Sequence, residues 1–154
     1  MKTPDKITLD RIKTAHPKVR TELESQYIEC NELLPTNCTL RFAFVYRSPQ
    51  EQDALFNKRP KVTNARGWQS IHNYGLAFDI VLIVDGKAVW TVNKEWKQVA
   101  DYFKSKEWEW GGDWKSFKDA PHFQKAFGLT WQQMKSRIDS GKFTVENNIK
   151  YITL

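Results

Sequence analysis

Three histidines and a handful of carboxylates carry most of the chemical potential of this chain. One segment reads Ser70-Ile71-His72-Asn73-Tyr74-Gly75-Leu76-Ala77-Phe78-Asp79, a second Asp119-Ala120-Pro121-His122-Phe123-Gln124. Asp79 falls in an apolar run, on the strand face shared by Ala77, Val81 and Ile83. A carboxylate there is costly unless it is paired, protonated or bound to a cation. The bland alternative is a buried Asp accepting backbone hydrogen bonds. As one straight strand, residues 72–79 would span roughly 23 Å, too far for two ligands of one ion. Asn73 and Gly75 tolerate turns, so the chain can fold back and set His72 over Asp79. Pro121 lies inside a second turn, and a turn holds residues three apart within roughly 7 Å. His122 can then bind a metal while Asp119 reaches a water beside it. Two His and one Asp leave a fourth zinc position open, the arrangement of a catalytic site. Other divalent ions also suit this donor set.

Arg47 ends a strand just before a helix start, where a guanidinium can stabilise an oxyanion; a surface Arg is the plain alternative. Trp108, Trp110 and Trp114 can line a substrate groove or pack in the core. His16, before Pro17 in a polar stretch, reads as a surface residue.

The elements that must position these residues follow from periodicity. Val19, Leu23, Tyr27, Cys30 and Leu34 mark an amphipathic helix stopped by Pro35. Residues 39–46 alternate as a strand, with Leu40, Phe42, Phe44 and Tyr46 on one face. Ser48, Pro49 and Glu51 predict a capped helix start, with Leu55 and Phe56 as its anchors. A long loop follows over 59–75, then an interior strand from Leu76 to Val84. A turn at Asp85-Gly86 leads to a returning strand, Ala88 to Thr91. Trp96, Val99, Ala100 and Phe103 mark a helix capped by Asn93; His122 to Gln124 is a short strand. Thr130 and Gln133 open a last helix that ends at Gly141, and the tail adds a strand. This order predicts an α+β fold: a single domain over 1–154, with a small antiparallel sheet flanked by helices.

The bulk properties agree. The chain has 154 residues, 40% hydrophobic and 14% aromatic, which excludes a disordered protein. No apolar run reaches the roughly 18 residues of a membrane helix, so membrane insertion is not expected. Met1 to Lys13 lacks the apolar core of a secretory signal, so synthesis in the cytoplasm without a signal peptide is expected. The net charge of +6 favours polyanionic partners. Without a dense Lys/Arg tract or a DNA-reading helix pattern, nucleic acid is not an expected partner. Cys30 and Cys38 read as reduced packing residues.

Taken together, residues 70–79 fit SxHxxGxAxD and residues 119–122 fit DxPH. These resemble the zinc peptidases that cleave bacterial cell-wall peptides at bonds involving D-amino acids. Tyr46-Arg47-Ser48, Gln52, Trp110 to Trp114 and Asp119 to Phe123, all in order, resemble most the phage endolysins that are L-alanyl-D-glutamate endopeptidases. The resemblance implies the hedgehog and D-Ala-D-Ala-peptidase fold, one Zn²⁺ per chain on His72, Asp79 and His122, Asp119 as acid/base and Arg47 at the oxyanion. It also implies substrate or ligand contacts by Gln52 and Ser70. The peptidoglycan stem peptide is the expected partner, met by a monomer without a separate wall-binding domain and reached through a holin-type lesion. A D-alanyl-D-alanine carboxypeptidase and a non-catalytic zinc module are the alternatives.

Overall fold

The structure is a computed structural model that describes residues 2–154. It opens with helix α1 (Lys6–Ile12), capped by the Asp5 carboxylate on Thr8 N. Only Thr8 and Ile12 of α1 are buried, so its seven residues leave no apolar stripe to read in the sequence. Helix α2 (Pro17–Leu33) follows and buries Val19, Leu23, Tyr27 and Cys30 along one stripe, as the spacing predicts. Cys30 and Cys38 are free and buried.

The main sheet contains strands β1 (Cys38–Phe44), β2 (Ala77–Val84), β3 (Lys87–Val89), β4 (Glu109–Trp110) and β5 (His122–Gln124). Their order is β1-β2-β5-β4, with β3 also paired to β2, and every pairing is antiparallel. The returning strand β3 is shorter than the sequence suggests. On one face Leu40, Phe42, Phe78, Ile80, Leu82 and Phe123 pack against α2 and against helix α4 (Lys94–Ser105). Phe78 is the hub, with ring centroids 4.2 Å from Phe42, 4.9 Å from Phe103 and 5.1 Å from Phe123.

The alternation expected along 39–46 breaks at one point. Phe42 pairs with Ile80 but Phe44 pairs with Asp79, so Ala43 is an inserted residue. A bulge of this kind reverses the facing of everything after it. Phe44 is therefore 49% exposed on the Asp79 side, while Val45 is 2% exposed and points inward.

Helix α3 (Pro49–Phe56) starts with the predicted capping box, Ser48 and Glu51 satisfying each other's backbone. Its buried residues are Pro49 and Gln52; Leu55 and Phe56 are only half-buried and do not anchor it. Helix α5 (Trp131–Asp139) is capped by Thr130 as expected. The tail forms a separate hairpin of β6 (Phe143–Glu146) and β7 (Ile149–Ile152). That hairpin corrects the reading of His16, which is 6% exposed. Its Nε2 lies 2.7 Å from Ile152 O, its Nδ1 accepts from Lys18 N at the head of α2, and Tyr151 Oη donates to Thr14 O. His16 thus joins the N-terminal helices to the C-terminal hairpin. Among the described residues no helix is long and apolar enough to cross a membrane.

Candidate metal centre

His72 is placed by a 3-10 turn, Ile71–Tyr74, that folds the chain back into β2. Ser70 caps the turn through His72 N and Asn73 completes the capping box. Gly75 closes it at φ +73°, and a Cβ there would sit 2.7 Å from His16 N, so only glycine fits. Asn73 Nδ2 donates to Arg47 O and Arg47 N donates to His72 O, which ties the turn to the end of β1. The inward Val45 carbonyl accepts from His72 Nδ1 at 2.7 Å, so the bulge in β1 has a direct use. His72 Nε2 then faces Asp79 Oδ1 at 3.1 Å.

His122 comes from the neighbouring strand, directly opposite Asp79 in the β2–β5 register. The turn before it is held at several points. His122 N donates to Asp119 O, Asp119 N to Gly111 O, and Ile80 N to Pro121 O. Two indoles, Trp96 and Trp110, both donate to Ala120 O, at 3.1 and 2.7 Å. A Cβ on Gly111 would lie 2.3 Å from Asp119 O, so the Gly-rich segment allows that backbone approach. His122 Nδ1 lies 3.2 Å from Asp79 Oδ1, and its Nε2 lies 2.8 Å from Gln124 Oε1.

One ligand atom each from His72, Asp79 and His122 therefore converges, all within 4.8 Å of one another. Both imidazoles are buried, and each has its far nitrogen against an oxygen acceptor: Val45 O for His72, Gln124 Oε1 for His122. With each proton on the far nitrogen, the near nitrogens offer lone pairs beside a carboxylate, a donor set that fits Zn²⁺. With no cation between them, the near nitrogens can carry protons and donate to Asp79 instead. Burial works to raise the Asp79 pKa, but the charge of His72 and the hydrogen bonds from His122 and His72 overcome it. The carboxyl is held well below the ordinary range. For His122, burial favours the neutral ring, and the hydrogen bond to Asp79 outweighs it and raises the pKa.

Asp119 stands at the edge of this cluster. Partial desolvation of its carboxyl, then repulsion from Asp79, raises its pKa, while His122, His72 and Arg47 pull the other way. Arg47 is half-buried, donates from Nη1 to Gln52 Oε1 at 3.2 Å and stacks 5.0 Å over the Phe44 ring. Gln52 is buried and also donates to Ala65 O, so it braces Arg47 against the long loop. Ser70 serves as the cap of the His72 turn.

The aromatic residues divide. Trp114 is half-buried with its ring 5.5 Å from that of His122, and its indole donates to Glu109 Oε2. Trp110 is 5% exposed, so the groove-lining role expected for it is corrected: it packs in the core and holds the Ala120 carbonyl. Val45, Trp96 and Gln124 also support the site, and the motifs do not point to them. Val45 acts through its carbonyl and Trp96 through a long-range bond, neither of which leaves a local signal. Gln124 did leave one, because residues two apart on a strand share a face.

Residues 63–125 match the family described as D-alanyl-D-alanine carboxypeptidase. This span holds His72, Asp79, Asp119 and His122 and leaves out Arg47 and Gln52. The chain is 43% identical over 93 residues to the peptidoglycan L-alanyl-D-glutamate endopeptidase CwlK of Bacillus subtilis, covering 51% of this chain and 56% of that protein. It thus spans a little over half the length of that relative. Its fold is similar to the crystal structure of the Serratia marcescens L-Ala D-Glu endopeptidase ChiX, with a TM-score of 0.60 and 25% identity. That match covers 79% of this chain and 87% of the other. The α+β fold and the peptidase resemblance read from the motifs are both borne out.

Proposed function

We propose that this chain is a zinc-dependent peptidase that hydrolyses the peptidoglycan stem peptide at the L-alanyl-D-glutamate bond. The observation that carries the proposal is the convergence of His72, Asp79 and His122 beside Asp119 and Arg47. Zn²⁺ held by the three ligands would polarise the scissile carbonyl and lower the pKa of a water to about 7. Asp119 takes a proton from the attacking water and returns it to the departing amine. Its raised pKa suits a group that must be base first and acid second. The Arg47 guanidinium, braced by Gln52, meets the negative charge that grows on the carbonyl oxygen. Trp114 beside His122 offers a flat wall to the substrate.

The names of the two relatives support endopeptidase over carboxypeptidase action, although the matched family is described by the latter. The products decide. Digestion of purified peptidoglycan, read by mass spectrometry, is expected to free L-Ala carboxyl and D-Glu amino ends. Release of terminal D-Ala would contradict the endopeptidase reading.

The endolysin resemblance supports a setting in phage-driven host lysis, with one catalytic domain acting as a monomer and reaching the wall through a holin. Cells that express the chain should then lyse only when a holin is co-expressed. Lysis that needs no holin would point to a role in bacterial wall turnover, as the bacterial sources of both relatives suggest.

A further inference from the structure

The two histidines of the cluster are held differently. The Val45 carbonyl can only accept a hydrogen bond, so it fixes the proton of a neutral His72 on Nδ1 and leaves Nε2 as a lone pair. His122 has no such fixed partner. Its Nε2 meets a glutamine amide, which accepts through oxygen and donates through nitrogen. With Oε1 turned to the ring, as the 2.8 Å contact has it, His122 carries its proton on Nε2 and presents Nδ1 as a lone pair toward the cluster. With the amide reversed, Nε2 would accept, Nδ1 would carry the proton, and that proton would point at Asp79 Oδ1. Only the first arrangement can ligate a metal.

We propose that Gln124 is a positioning residue that sets the His122 tautomer and so tunes metal affinity. It rests on the metal-site reading above and goes beyond it. His122 and Gln124 share a face of β5 as residues i and i+2, and both are shielded from bulk water, the ring fully and the amide partly. A neutral amide polarises the imidazole less than a carboxylate would. The chain therefore holds this ligand more loosely than the carboxylate–histidine pairs common at zinc sites.

The test is Zn²⁺ affinity of the purified full chain, measured by competition with a chelating indicator, in the parent, Gln124→Glu and Gln124→Leu. Gln124→Glu replaces the two-way amide with a carboxylate that only accepts. Gln124→Leu fills similar space and leaves Nε2 with no partner. Dissociation constants should rise in the order Q124E, parent, Q124L, with Q124L about 10-fold to 100-fold weaker than the parent. Any other order overturns the proposal. If Q124L does not fold, as judged by thermal unfolding, the comparison of Q124E with the parent decides alone: tighter binding supports the role, and equal or weaker binding refutes it. A chain that shows the predicted order yet cleaves no peptidoglycan would overturn the proposed function and leave this inference standing. Cleavage without the order would do the reverse.

Discussion

Asp119 and Arg47 border the same cluster; the proposed mechanism has them act on different atoms, and substitution should separate them. Asp119→Asn keeps the backbone bonds to Gly111 and His122 and removes the base. It should keep its metal and lose about 10²-fold to 10⁴-fold in kcat on a soluble stem peptide. Arg47→Ala should cost about 10²-fold to 10³-fold in kcat, the scale of a lost oxyanion donor. Wall cleavage that survives Asp119→Asn at full rate would contradict the mechanism. The convergence of His72, Asp79 and His122 was legible in the sequence, because turns at Asn73–Gly75 and Pro121 can bring those types together. Arg47 read equally well as a surface residue, and the resemblance singled it out. Gln52 and Ser70 were found by resemblance, and the structure gives both a bracing role.

At the scale of elements, the site depends on two turns and one bulge. The Asp119–His122 turn hangs on Ala120 O, which takes both indoles. Trp96→Phe and Trp110→Phe should each cost about 1 kcal/mol from the lost hydrogen bond, more where packing suffers. The double variant should lose more activity than the single effects predict, because it leaves the carbonyl with neither donor. A double-mutant cycle on kcat reads this, and strict additivity would contradict it. Gly75→Ala should destabilise by about 1–3 kcal/mol in urea unfolding, since its backbone is left-handed and a Cβ would strike His16 N. The capped helices and the interior strand β2 were readable because their signals are local. The bulge at Ala43 was not, since Phe42 and Phe44 alternate in the sequence as if the strand ran straight. The short α1 and the burial of His16 were hidden for a similar reason: their partners, Phe42 N for Thr8 and Ile152 O for His16, lie far along the chain.

At the scale of the whole molecule, His16 ties the chain's two ends together, and this gives a pH dependence. Burial, with the nearby Arg20 and Lys18, lowers its pKa below the usual histidine value, against the raising effects of Ile152 O and Glu146. Below about pH 6.5 the unfolded chain takes up this proton before the folded one. The contribution is present above that pH and is lost as pH falls toward the folded value. His16→Asn keeps a capping oxygen for α2 and removes the titration. Its melting temperature should fall less than the parent's between about pH 7 and pH 5; parallel profiles would contradict the assignment. The net charge of +6 should speed approach to an anionic wall. Added salt should therefore slow digestion of intact walls and leave hydrolysis of a small neutral stem peptide unchanged. The most direct test of the central claim is the metal content of the purified chain, paired with peptidoglycan digestion before chelation, after it, and after Zn²⁺ is restored. The account predicts one zinc per chain, cleavage between L-Ala and D-Glu that stops on chelation, and recovery with Zn²⁺. Cleavage that persists in the metal-free protein, or a zinc-loaded protein that leaves the stem peptide intact, would contradict it.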